Sequence, residues 1–137
     1  MNLRVLGIYR EAEFSPGKVA ADRAIMDAVL DHLLAAGAET EGIAAETFAS
    51  GSFAGKSDLI LAMCQGSAAL AALAAAGEAG AIVVNSALAI RNCYRDLLGP
   101  GLINARVPTP GGAVVPTAEP FDWRPLGTLN LAGAMYV

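Results

Sequence analysis

One histidine, two cysteines and little charge set the first limits on this 137-residue chain. His32 falls near the end of the first long helical pattern, away from every candidate loop, so a Ser–His or Cys–His catalytic pair is not expected. Cys64 and Cys93 fit neither a disulfide framework nor a metal-ligand spacing, which makes a reduced, cytoplasmic protein the expectation. Nine Lys and Arg stand against thirteen Asp and Glu, for a net charge of −4. With no basic cluster among them, phosphate neutralisation along a nucleic acid is not the task. Neither GxGxxG nor GxxxxGK[ST] occurs, so independent nucleotide binding has no motif to rest on. Charged residues are only 16% of the chain and hydrophobic ones 55%, the reverse of a disordered composition. No heptad is sustained, and Gly and Pro recur throughout, which excludes a coiled coil.

What is present is an apolar surplus for a single domain of this length. About a fifth of the residues are Ala, which softens it. Leu59 to Gly77 runs nineteen residues without a charge, close to the ~20 of a membrane span. Gln65-Gly66-Ser67 interrupts that run and Ala fills most of its second half. A strand, a turn and a small buried helix therefore describe it better than a span. The run after Arg4 is too short for a signal peptide.

Along the chain, Leu3 to Tyr9 reads as a strand buried on both faces. Arg10 to Phe14 is a polar loop. Ser15-Pro16 marks a helix start, Ser as cap and Pro at the first helical position. Ile25, Met26, Val29, Leu30, Leu33 and Leu34 follow at helical spacing, and Gly37 closes the helix. Glu39 to Phe48 holds a weak strand centred on Gly42-Ile43-Ala44, and Ala49 to Lys56 is a loop. Asp58 to Met63 is the clearest buried strand. The turn Cys64-Gln65-Gly66-Ser67 leads from it into an Ala-rich helix capped by Gly77. Ala81 to Val84 is a further strand stopped by Asn85-Ser86, and Ala87 to Leu98 is helical. Strand and helix alternating in this way predict an α/β fold: a small parallel-sheet domain, Rossmann-like or flavodoxin-like, with helices on both faces.

From Gly99 the pattern changes. Gly99-Pro100-Gly101 reads as a breaker, Leu102 to Arg106 as a short helix, and Val107 to Gly112 as an extended linker. Ala113 to Thr117 and Leu129 to Val137 read as strands of a C-terminal β-hairpin region around a Pro-rich connection. Phe121 and Trp123 in that connection read as loop anchors. The expected division is an α/β domain over 1–106 and an incomplete β-containing piece over 107–137. An apolar last strand suggests completion by the rest of a longer chain or by a second copy, as in a homodimer.

In open α/β sheets ligands bind beyond the carboxyl ends of the strands. Three loops qualify, each joining a helix N-terminus to side-chain donors. The first offers Arg10, Glu11, Glu13, Ser15 and Lys18. Arg10 could clamp a carboxylate there, though a plain Ser15 cap and solvated charges describe the same residues. The second offers Gln65, Gly66 and Ser67, with Ser67 either capping the helix or touching a ligand. Cys64 in that loop is a nucleophile only if a cation or base lowers its pKa, as a racemase- or hydrolase-type enzyme would require; otherwise it is a structural thiol. The third is Asn85-Ser86, either cap or ligand contact. Cys93 reads as packing.

Taken in order, these pieces resemble the N-terminal region of ATP-grasp ligases, the ATP-dependent carboxylate–amine ligases. The resemblance rests on Ser15-Pro16 through the helix to Gly37, on Asp58 to Ser67, and on Val83-Val84-Asn85-Ser86. It continues through the helix after Asn85 and the passage Arg106-Val107-Pro108-Thr109-Pro110. It spans residues 1–120 in pattern, and the order of the motifs carries it more than any one of them. It implies a small α/β domain that contributes to binding a carboxylate or amino-acid-like substrate; the residues expected to do so, taken from the three loops, are Arg10, Glu13, Ser15, Gln65, Gly66, Ser67, Asn85 and Ser86. ATP and Mg²⁺ are implied for the full ligase, in later subdomains, and not for these residues alone. Where many members carry a Lys after the Asn85-type helix, this chain has Arg95. The alternative is a stand-alone flavodoxin-like or Rossmann-like module that takes a small anionic ligand at the same strand ends.

Overall fold

The computed structural model describes residues 3–14, 16–51, 53 and 56–109. The chain divides into two units, 1–91 and 92–137. The first is built on four parallel strands, β1 (Arg4–Tyr9), β2 (Glu39–Ala44), β3 (Leu59–Ala62) and β4 (Ile82–Val84), in the order β2-β1-β3-β4. Its helices are α1 (Val19–Ala35), α2 (Ala45–Ser50), α3 (Ser67–Glu78) and α4 (Ala87–Asn92), which ends at the unit boundary. β1 pairs with β2 from Arg4↔Glu39 to Tyr9↔Ala44 and with β3 from Val5↔Leu59 to Ile8↔Ala62. The parallel α/β sheet expected from the alternation is present.

Strand alternation assigns the two faces. Val5 packs with Met26 and Leu30 of α1, and Tyr9, Leu33, Leu59, Leu61 and Met63 border that cluster. Gly7, between Val5 and Tyr9, is where α1 comes closest: a Cβ there would lie 2.9 Å from both Leu30 Cδ1 and Met26 Sδ. The opposite face carries Leu6, Ile8, Ile60 and Val83, which share one register across the sheet. Val83 meets α3 at Gly77, and α2 packs on α3, so these two helices cover that side. Phe48, Leu6, Ile8, Ile60, Leu73 and Cys64 are the largest fully buried side chains.

Several element boundaries differ from those the sequence predicts. α1 begins at Val19 with Lys18 at its N-cap, because the chain turns at Gly17 with φ +76° after a 3-10 turn at Ala12–Phe14. Pro16 is therefore outside the helix, and Ser15 lies outside the described residues. Gly37 closes α1 as expected, with φ +94°. The Gly37 N–H donates to the Leu34 carbonyl and the Ala38 N–H to the Leu33 carbonyl, the two bonds of a Schellman motif. α3 runs through Gly77 and ends in the same motif at Gly80 (φ +100°), whose N–H donates to Gly77 while that of Ala81 donates to Ala76. The helix α2 was not expected, and it replaces the end of the weak strand and the start of the loop.

In the second unit, α5 (Arg95–Asn104) passes through Gly99-Pro100-Gly101, read from sequence as a breaker. Pro100 removes one helical hydrogen bond, to the carbonyl of Asp96, and exposure of Asp96 leaves that carbonyl open to water. A turn at Cys93-Tyr94 separates α4 from α5 where one continuous helix was expected. Cys93 is exposed there, not packed. The expected hairpin strands, Phe121 and Trp123 fall outside the described residues. Among the described residues no helix is long and apolar enough to cross a membrane.

Candidate functional site

The strand order fixes where a crevice forms. The chain leaves β1 toward β2 on one side, then crosses to β3 on the other, so the connections after β1 and β3 diverge. Their carboxyl ends are the topological switch point of a parallel sheet. Arg10 and Glu11 follow β1, and Cys64 to Ser67 follow β3.

Glu11 organises this end of the sheet. It is only 7% exposed, the one polar side chain in the core among the described residues. The Gln65 N–H donates to its Oε2 at 2.9 Å and the Gly66 N–H to its Oε1 at 2.9 Å. Gly66 is the N-cap of α3 and has no side chain to satisfy the first amides of the helix. The Glu11 carboxylate, 54 and 55 residues earlier in the chain, holds the Gln65 and Gly66 amides that lead into the helix, with the charge that a helix N-terminus favours. Ser67 is the first helical residue and exposed, so it does not cap the helix. A methyl on Gly66 would lie 2.8 Å from Glu11 Oε1 and 3.5 Å from Phe14 Cε2, which places the half-exposed Phe14 ring at the rim.

Arg10 is half-buried and held from two directions. Its Nε donates to the Met63 carbonyl at 3.3 Å, and Nη1 lies 3.4 Å from Asp22 Oδ2 on α1. It ties β1, β3 and α1 together at the crevice floor. Glu13 is exposed on the turn above. Asn85 and Ser86 are exposed at the same end of the sheet, beyond β4, after a cis peptide bond between Val84 and Asn85. Ser86 Oγ accepts from the Ala89 N–H at 3.1 Å and so caps α4. The structure thus brings Arg10, Gln65 and Gly66 together around Glu11 and sets Glu13, Ser67, Asn85 and Ser86 on the carboxyl edge of the sheet.

Cys64 sits fully buried at the end of β3. Burial, and then the Glu11 charge, push its thiol up to about 11. It is protonated at neutral pH, and among the described residues no cation lowers its pKa as a nucleophile would need. His32 is exposed in the last turn of α1, at the opposite end of the sheet.

The sequence places Glu11 in the loop after β1 but shows nothing of its bonds to Gln65 and Gly66, since nothing local links them. A second cluster also went unread. The Tyr9 O–H donates to Asp27 Oδ1 at 2.5 Å, and the Arg23 guanidinium stands 4.4 Å over the Tyr9 ring. The Asp27 bond, then burial, raises the Tyr9 phenol above its ordinary value. At the opposite, amino edge of the sheet, Arg4, Val5, Glu39, Thr40, Glu41, Lys56 and Ser57 line an open cleft of about 280 Å³. There Arg4 grips Asp58 with Nη2 to Oδ1 at 2.9 Å and Nε to Oδ2 at 3.1 Å. Those bonds hold the Asp58 carboxyl down at about 2. We place the candidate site at the switch point despite this cleft, because the cleft's charged side chains are on the solvent side and bring no helix N-terminus.

Among the described residues no three His, Cys, Asp or Glu side chains converge as a metal site requires. No family model, curated protein or solved structure matches the chain.

Proposed function

We propose that this chain is the substrate-side α/β domain of an ATP-dependent carboxylate–amine ligase of the ATP-grasp type, with the nucleotide chemistry carried by other residues. The observation that supports this reading most is the order of parts. A parallel sheet in the order β2-β1-β3-β4 ends at Asn85-Ser86, where Ser86 caps the next helix. After α5 comes the passage Val107-Pro108-Thr109, which is neither helix nor strand. The ligase resemblance has the same sequence of parts. In this reading a carboxylate or amino-acid-like substrate meets the crevice at Arg10, Glu13, Phe14, Gln65, Ser67 and Asn85, and the domain orients it without reacting.

The test is the reading frame beyond Val137. A Lys-bearing strand and acidic Mg²⁺ ligands should be encoded there or in an adjoining partner. Protein that includes them should form ADP only when ATP, a carboxylate and an amine are supplied together, and residues 1–137 alone should form none. A stop codon after Val137 with no adjoining ATP-binding partner would overturn the proposal. The alternative is a stand-alone module that takes a small anion at the same strand ends.

A further inference from the structure

The two open edges of the sheet are unlike. β2 and β4 are its outer strands, and among the described residues each pairs on one side only. β2 carries Glu39 and Glu41, both exposed. Pairing that strand with itself about a two-fold axis at Thr40 would set Glu39 opposite Glu41 of the second copy, like charges directly across a ladder. β4 has no such guard. From Ala79 to Ile90 the chain has no charged residue and no Pro, the means by which edges are commonly blunted. Ile82 is 64% exposed and Val84 49%, and Leu88, in the first turn of α4, is 68% exposed. Ile82 shares a register with Leu59 and Val5, and Val84 with Leu61 and Gly7. Both therefore stand on the α1 face of the sheet, where α1, packed over β1 and β2, leaves them uncovered.

We propose that β4 is a self-association edge, occupied by β4 of a second copy of this chain running antiparallel about a two-fold axis at Val83. The backbone polarity fits that axis. The Ile82 N–H donates to the Asp58 carbonyl at the start of β3, at 2.9 Å. Ile82 and Val84 thus bond toward β3, and the N–H and C=O of Val83 between them point to the open edge. A two-fold there makes the two Val83 residues a pair that exchanges both N–H···O bonds. It also sets Ile82 of each copy opposite Val84 of the other, aliphatic against aliphatic on one face. Charge favours a second copy as the occupant. Each chain carries a net −4, so two copies repel where acidic surfaces such as the β2 edge meet, and the uncharged β4 edge lets them approach without that repulsion. A three-residue ladder is short, so the dimer is reversible and smaller in interface than an obligate one. The proposal concerns a different strand from the C-terminal one expected to need completion, and it does not rest on the ligase reading.

The test is sedimentation equilibrium of the whole chain, with hydrogen exchange at the Val83 amide followed across a dilution series. The wild type should pass from monomer to dimer as concentration rises, and the Val83 amide should gain protection over the same range. Val83→Pro removes only the outward donor, which an edge strand tolerates, and should weaken dimerisation at least about tenfold. Two double substitutions at exposed positions serve if Val83→Pro does not fold: Ile82→Lys with Val84→Lys, and Ile82→Glu with Val84→Glu. Each alone should be monomeric. Mixed, they should form a heterodimer, because the axis sets each new lysine opposite a new glutamate. A wild type that stays monomeric at millimolar concentration would overturn the proposal. So would a Val83 amide already protected in the monomer, as another segment of this chain on that edge would make it. A dimer that the β4 substitutions leave intact, or no heterodimer from the mixture, would overturn it as well.

Discussion

Replacing Glu11 with Ala should be among the most damaging single polar substitutions in the first unit. The change removes two hydrogen bonds to an ionised acceptor, each worth about 1.5–3 kcal/mol net. Their simple sum overstates the loss, because both end on one carboxylate and are not independent. Gln65 and Gly66 are only half-buried, so water can reach the abandoned amides and recover part of it. The expected destabilisation is about 2–4 kcal/mol, a large share of a typical domain's ~5–15 kcal/mol. Urea unfolding measures it, with Glu13→Ala, an exposed neighbour, as a control expected within ±0.5 kcal/mol. Hydrogen exchange gives the local reading: protection at the Gln65 and Gly66 amides should fall more than at Ile8 or Ile60. If Glu11→Ala unfolds within 0.5 kcal/mol of the wild type and those two amides keep their protection, the clamp described for this end of the sheet is wrong.

The Arg4–Asp58 pair sets an acid limit. The folded carboxyl titrates at about 2 against an ordinary 3.8, so its contribution is full above that ordinary value and is lost as pH falls from 3.8 to about 2. Thermal melts across that window should show a drop that Asp58→Asn lacks. Cys64, raised to about 11 from 9.0, should carry about a hundredfold less thiolate near pH 8 than an ordinary thiol. Iodoacetamide followed by peptide mass mapping should mark Cys93 and leave Cys64 unmodified until the protein unfolds. The same raised pKa makes the Cys64 contribution to stability full below pH 9.0 and lost as pH rises toward 11. Phe48→Ala empties a position that is 1% exposed and should cost about 3–5 kcal/mol, read as a lower urea midpoint.

The strands were legible because buried parallel strands declare themselves by continuous branched and aliphatic runs, as in Leu59-Ile60-Leu61-Ala62. The closing glycine of α1 was legible for a local reason, since Gly37 must adopt positive φ. The α2 segment, Ala-Glu-Thr-Phe-Ala-Ser, is too short to show a period, and its one signal was Phe48, a lone aromatic among small residues. The start of α1 was misplaced because Ser-Pro is a strong local cue that Gly17, at φ +76°, overrides two residues later. At Gly99-Pro100-Gly101 the error ran the other way, and α5 continued past residues that usually stop a helix. Topology was enough to put Arg10 and the Cys64 to Ser67 turn at one edge of the sheet, but the contacts there depend on a pairing across 54 and 55 residues. A carboxylate that will be buried on two amides and one that stays in solvent, Glu11 and Glu13, look alike two positions apart.

The placement of the site at the carboxyl edge of β1 and β3 is tested most directly by mapping where a substrate touches the chain. An amide-resolved titration with a panel of amino acids and their amides, run on the wild-type chain, separates the two ends of the sheet. The expected result is saturable change confined to Arg10, Glu13, Phe14, Gln65, Ser67 and Asn85, with Arg4, Glu39, Glu41 and Lys56 unmoved. Change centred on those four residues of the amino-edge cleft, with the switch point silent, would contradict it.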